Sequence, residues 1–100
     1  MRSVSSAKAL DVLGTAELRS GRPEPAVVAL ERAVAIRAGG AGTAPGDLAA
    51  IRFTLAKAIV AAHGPAARAR KLAEEARDAL AHSGDARGAG EVSTWLQAQH

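Results

Sequence analysis

One hundred residues with no cysteine bound a single small domain that lacks disulfides and thiolate metal sites. Alanine fills 26 positions, and only Phe53 and Trp95 are aromatic, so a bulky aromatic core is excluded and close-packed helices with small contact residues are expected. The net charge of +3 comes mostly from arginines scattered among acids, which argues against nucleic acid as the partner because that function calls for a concentrated basic face.

Glycine and proline punctuation divides the chain into five predicted helices, preceded by a tail over residues 1–5. The first covers residues 6–20, with Ser5 or Ser6 as its N-cap. Leu10, Leu13 and Leu18, with Ala9, Gly14 and Ala16, recur close to the helical period and are expected to form its buried stripe. Gly21 supplies a left-handed stop. Pro23 and Pro25 then fall in the first turn of the second helix, where missing amide donors cost little. That helix covers residues 23–38 and repeats Ala26, Val27, Leu30, Ala33, Val34 and Arg37 on one face.

A glycine-rich loop over residues 39–46 separates it from the third helix, which begins near Pro45 or Asp47. Leu48, Ile51, Leu55 and Ile59 make the main stripe of the third helix, with Phe53, Ala56 and Val60 beside it. His63, Gly64 and Pro65 end it. The fourth helix, residues 65–82, should bury Ala69, Leu72, Ala73, Ala76 and Leu80. Its Arg68, Arg70 and Lys71 precede Glu74, Glu75 and Asp78, a pattern read as a solvated face with i,i+4 pairs such as Arg70–Glu74. Asp85 is a good N-cap for a fifth helix over residues 86–99, which carries Ala89, Val92, Trp95 and Leu96 on one side.

Several strings that look chemical are explained more simply. Val34-Ala35-Ile36-Arg37 echoes a kinase strand but sits on a predicted helix and has no catalytic loop downstream. The glycine-rich loop lacks the Gly-Lys-Ser/Thr ending that holds phosphate. His63, His82 and His100 have no cysteine or paired histidine at ligand spacing, so no metal or cofactor is expected, and no nucleophile–base arrangement supports an enzyme. No apolar run reaches the ~20 residues of a membrane span. Lys8 and Asp11 interrupt the N-terminal stretch, so it is not a signal peptide, and a cytoplasmic location is the expectation.

The chain repeats itself. Leu13-Gly14 and Leu55-Ala56 stand 42 residues apart, and each opens the same run of helix, stop and proline-led helix. On these residues the sequence resembles the tetratricopeptide repeat (TPR) family. Leu13, Gly14, Glu17, Gly21, Ala26, Leu30 and Ala33 follow its pattern in repeat one (residues 6–38), with Glu17 departing from the usual large apolar residue. Leu55, Ala56, Ile59, Gly64, Ala69, Ala73 and Ala76 follow it in repeat two (residues 47–82). The long period is similar to the kinesin-light-chain variant, and the tail resembles the C-terminal repeat regions of bacterial serine/threonine kinases.

The resemblance implies an all-α fold of antiparallel helical hairpins, stacked as a short α-solenoid of two repeats and closed by a capping helix over residues 85–99. Leu13, Gly14, Ala26, Leu30, Ala33, Leu55, Ala56, Ala69, Ala76 and Trp95 would be its packing residues. It implies a non-catalytic scaffold that binds protein or peptide, in bacterial signalling or as a piece of a longer repeat protein. The family's groove positions fall on Lys8, Asp11, Thr15 and Arg19 in repeat one, and on Phe53, Lys57, Val60 and Ala61 in repeat two. Lys8, Arg19 and Lys57 would hold an acidic peptide. The N-terminal end has no cap, which would expose Leu10 and neighbouring alanines and invite self-association. A small basic nucleic-acid binder is the alternative.

Overall fold

A computed structural model describes residues 7–39 and 45–99 of the chain. The expected N-terminal tail, the Ser5 or Ser6 cap, residues 40–44 of the glycine-rich loop and His100 lie outside the described residues. Within them the chain is all-α, with five helices: α1 (Ala7–Arg19), α2 (Pro23–Gly39), α3 (Pro45–Ala61), α4 (Ala66–His82) and α5 (Ala86–Ala98). Each helix packs on its sequence neighbours, and α1 touches α3 only marginally. The result is a helical-hairpin solenoid in miniature, α1 with α2 and α3 with α4, and α5 lies against α4.

Three turns use one device. Arg22 N–H donates to Glu17 O at 2.8 Å, Gly64 N–H to Ile59 O at 2.8 Å and Asp85 N–H to Leu80 O at 2.8 Å. Each is the six-residue bond that closes a helix end when the residue before the donor is left-handed. Those residues are Gly21 (φ 79°), His63 (φ 60°) and Gly84 (φ 87°). At the middle turn, therefore, histidine takes the strained position and not the neighbouring glycine. Gly64 has a different reason to be small, since a Cβ there would lie 3.0 Å from Ile59 Cγ2. At the start of α5, Asp85 accepts from Gly88 N–H at 2.8 Å, which satisfies one orphan donor of that helix.

The core is built from alanine with a few branched residues between. Ala26, Ala33, Ala49, Ala56, Ala58, Ala73 and Ala76 are fully enclosed, as are Leu30 and Val92. Such small contact residues let helix backbones approach closely, so dispersion between backbones replaces bulky side chains. Gly14 shows how close: a Cβ built there would sit 2.5 Å from Leu30 Cγ and 3.3 Å from the Ala26 carbonyl oxygen. Two ion pairs tie the second hairpin to the first, Arg68–Glu31 at 2.6 Å and Arg37–Asp47 at 3.8 Å.

Three expectations need correction. Leu13, expected as a packing residue, is 49% exposed, and Ala9 and Ala16 beside it are exposed as well. The buried side of α1 is Ala7, Leu10 and Gly14, with Leu18 partly covered. The contact of Gly14 with Leu30 sets the rotation of α1, and one residue of helix turns the side chain by about 100° away from that contact. For the same reason Leu10 lies inside at 6% exposure, and Val12, at 60%, is exposed in its place. The expected Arg70–Glu74 pair is absent among the described residues; Arg70 reaches across to the end of α5 and donates to the carbonyl of Gln99, the residue that caps it, at 3.2 Å.

Candidate functional site

The candidate groove residues come from α1 and α3, the first helix of each hairpin. On α1, Lys8, Asp11, Thr15 and Arg19 recur at steps of three and four and so share one edge of the helix. Lys8 and Arg19 are exposed; Asp11 and Thr15 are half-buried, and the Thr15 hydroxyl donates to Asp11 Oδ1 at 3.5 Å. Among the described residues neither Lys8 nor Arg19 has an ion-pair partner. The edge therefore offers two free cations on either side of a weakly hydrogen-bonded Asp–Thr pair. Asp11, Thr15 and Arg19 share a hollow with Val12 and Ala16.

The α3 set is organised differently. Phe53, Lys57 and Val60 are each half-buried, and Trp95 of α5 lies beside Phe53 and Val60. The Phe53 and Trp95 rings meet edge to face, with centroids 5.7 Å apart and planes at 84°. Lys57 Nζ lies 4.5 Å above the centroid of Phe53, so its charge is spent on the ring face, a contact of about 0.5–1 kcal/mol at a solvated site. Ala61, at the end of the helix, is exposed. Of the three cations expected to hold an acidic peptide, two are open and the third already has an aromatic partner.

Because α1 and α3 touch only marginally, the two sets form neighbouring half-sites, and no hydrogen bond or ion pair joins them among the described residues. The half-site on α3 continues into a cavity of about 330 Å³, lined by Val60, His63, Ala66, Ala69, Trp95 and Gln99 with Arg70 at its edge. This cavity was not foreseen. It needs α5 to swing its Trp95 side back over the α3–α4 turn, and only the placement of that aromatic residue on a terminal helix hinted at it.

Among the described residues no group of three or more His, Asp or Glu converges to hold a metal ion. No described helix is long and apolar enough to cross a membrane. Fold and surface together define a small helical-hairpin solenoid with a mixed aromatic and cationic face. No protein-family model matches the chain, and comparison with curated proteins and with solved structures returned no match.

Proposed function

We propose that the chain is a non-catalytic, TPR-like scaffold that binds a protein or peptide across α1 and α3, as a bacterial signalling or regulatory module or a piece of a repeat-bearing kinase. The observation that carries this reading is the division of labour on α1. Its inner side is given to packing through Gly14, and its polar edge leaves Lys8 and Arg19 uncommitted beside the half-buried Asp11 and Thr15. Unpaired cations on a rigid helix are well placed to meet carboxylates by charge-assisted bonds. The aromatic pair Phe53–Trp95 offers an apolar surface next to them, and Tyr- and Trp-type surfaces are favoured where proteins meet.

The nucleic-acid alternative is less well supported, because Arg37, Arg68 and Arg77 are occupied by Asp47, Glu31 and Asp78. Fluorescence anisotropy with labelled acidic peptides tests the main reading. Saturable binding that drops at least ten-fold in Lys8→Glu/Arg19→Glu supports it, and binding that ignores both substitutions rejects the groove. Duplex DNA or single-stranded RNA held tightly and released steeply by salt would favour the alternative.

A further inference from the structure

The cavity of about 330 Å³ beside the α3 half-site is built by three helices at one end of the molecule. Its apolar wall is Val60 from α3, Ala66 and Ala69 from the first turn of α4, and Trp95 from α5. Ala69 is 1% exposed, and Val60 and Trp95 are half-buried, so the inner part of this wall is shielded from water. Elsewhere the alanine core closes without such a gap, as close-packed interiors do. The volume falls at the small end of the range for small-molecule sites and has room for one ring with a short side chain.

Arg70 stands at the edge of the cavity. Its Nη2 donates to the Gln99 carbonyl at 3.2 Å, which ties the guanidinium to the end of α5. A guanidinium carries five N–H donors in a rigid fork. Among the described residues Arg70 makes no ion pair, whereas Arg68, two residues earlier, is taken by Glu31. Capping the end of α5 accounts for one of its donors and leaves the others beside the hollow. No described Asp or Glu lines the cavity; Glu74, one turn along α4, lines the neighbouring hollow with Arg77. The other polar groups of the lining, His63 and Gln99, carry no fixed negative charge.

This pairing selects a ligand. The apolar wall calls for a hydrocarbon body, and an aromatic one gains most beside an indole. The single anchored guanidinium calls for one planar anion that it can meet with two parallel bonds, which is a carboxylate. A bare inorganic anion would leave the wall unused, and a neutral hydrocarbon would leave the charge unused.

We infer that the cavity between the α3–α4 turn and α5 is a binding site for a small free carboxylic acid with an aromatic or branched apolar body, its carboxylate on Arg70 and its body against Val60, Ala66, Ala69 and Trp95. The site is independent of the cationic edge of α1, so Lys8→Glu/Arg19→Glu abolishes peptide binding there and leaves this cavity unchanged.

Trp95 is the chain's only tryptophan and there is no tyrosine, so its fluorescence reports on the cavity wall directly. The probe is 3-phenylpropionate, titrated into the full chain beside its uncharged amide, 3-phenylpropionamide. The acid should shift the Trp95 emission saturably with a dissociation constant on the order of 1 mM, fitting a ligand of this size. The amide should bind about ten-fold more weakly or not at all. Arg70→Gln should lower affinity for the acid about ten-fold and erase its advantage over the amide. Ala66→Leu, which keeps the arginine but fills the hollow, should weaken both probes. Because the acid and amide are compared on the unaltered chain, loosening of α5 in a variant cannot imitate the expected result. Equal binding of acid and amide overturns the inference, as does the absence of a saturable shift. Tighter binding of acetyl-Gly-Gly-Phe than of 3-phenylpropionate would also overturn it, by assigning the cavity to the end of a peptide. Binding seen only in His100→Gly would do the same, by assigning it to the chain's own last residue.

Discussion

A methyl group added at Gly14 would arrive 2.5 Å from Leu30 Cγ and 2.8 Å from Cδ2, with the Ala26 carbonyl oxygen at 3.3 Å behind them. Leu30 is fully buried and cannot swing clear. Overpacking of this kind costs typically 1–3 kcal/mol, against a helix-propensity gain of about 1 kcal/mol for alanine over glycine, so Gly14→Ala should destabilise by up to about 2 kcal/mol. At Gly90 the same substitution meets nothing within 4 Å and the site is exposed. There the propensity term stands alone, and Gly90→Ala should stabilise by roughly 0.5–1 kcal/mol. Urea unfolding of the two variants checks both; a shared sign would refute the close-approach account of Gly14. His63 provides a third test, because it occupies the left-handed position that glycine takes in the two sister turns. His63→Gly should raise stability by about 0.5–1 kcal/mol, as relief of backbone strain outweighs the added freedom of the unfolded chain.

At the scale of the element, the length of each helix was legible because the breaks are chemical. Gly21 with Pro23, His63 with Gly64 and Pro65, and Gly84 with Asp85 allow no continuous helix through them, and α2, α4 and α5 begin within a residue of those signals. The rotation of a helix about its own axis was less legible. On α1 the apolar residues Val12, Leu13 and Leu18 surround much of the circumference, so periodicity alone leaves several faces open. A single glycine meeting a leucine on the next helix decides among them. The candidate half-sites divide in the same way: Lys8 and Arg19 lie open, and Lys57 sits on Phe53 one turn away on the same helix, but the approach of Trp95 on α5 to Phe53 is a tertiary fact that no local pattern encodes. Trp95 is the hinge of that approach. Trp95→Ala should remove the edge-to-face contact and part of the cover over Phe53 and Val60, costing about 2–3 kcal/mol for a half-buried ring. Near-ultraviolet circular dichroism of the wild-type chain and the melting temperature of the variant check it; a fall of less than about 2 °C would show that α5 does not depend on this side chain.

Across the whole molecule, nearest-neighbour packing makes stability nearly one-dimensional, as in longer solenoids. The radius of gyration is 13.0 Å but the extents are 44 × 31 × 19 Å, so the helices form a slab in which end elements have a single packed side. α3 lies in the middle: Ala49, Ile51, Leu55, Ala56, Ala58 and Ile59 are all at 2% exposure or less, and one of the two ion pairs that join the hairpins ends on it at Asp47. α1 and α5 each pack chiefly on one helix. Opening an end helix therefore exposes far less apolar surface than opening α3, and local openings should rank accordingly. Native-state hydrogen exchange should find the slowest amides in α3, intermediate ones in α2 and α4, and the fastest helical amides in α1 and α5. Uniform protection along the chain would contradict the one-dimensional picture.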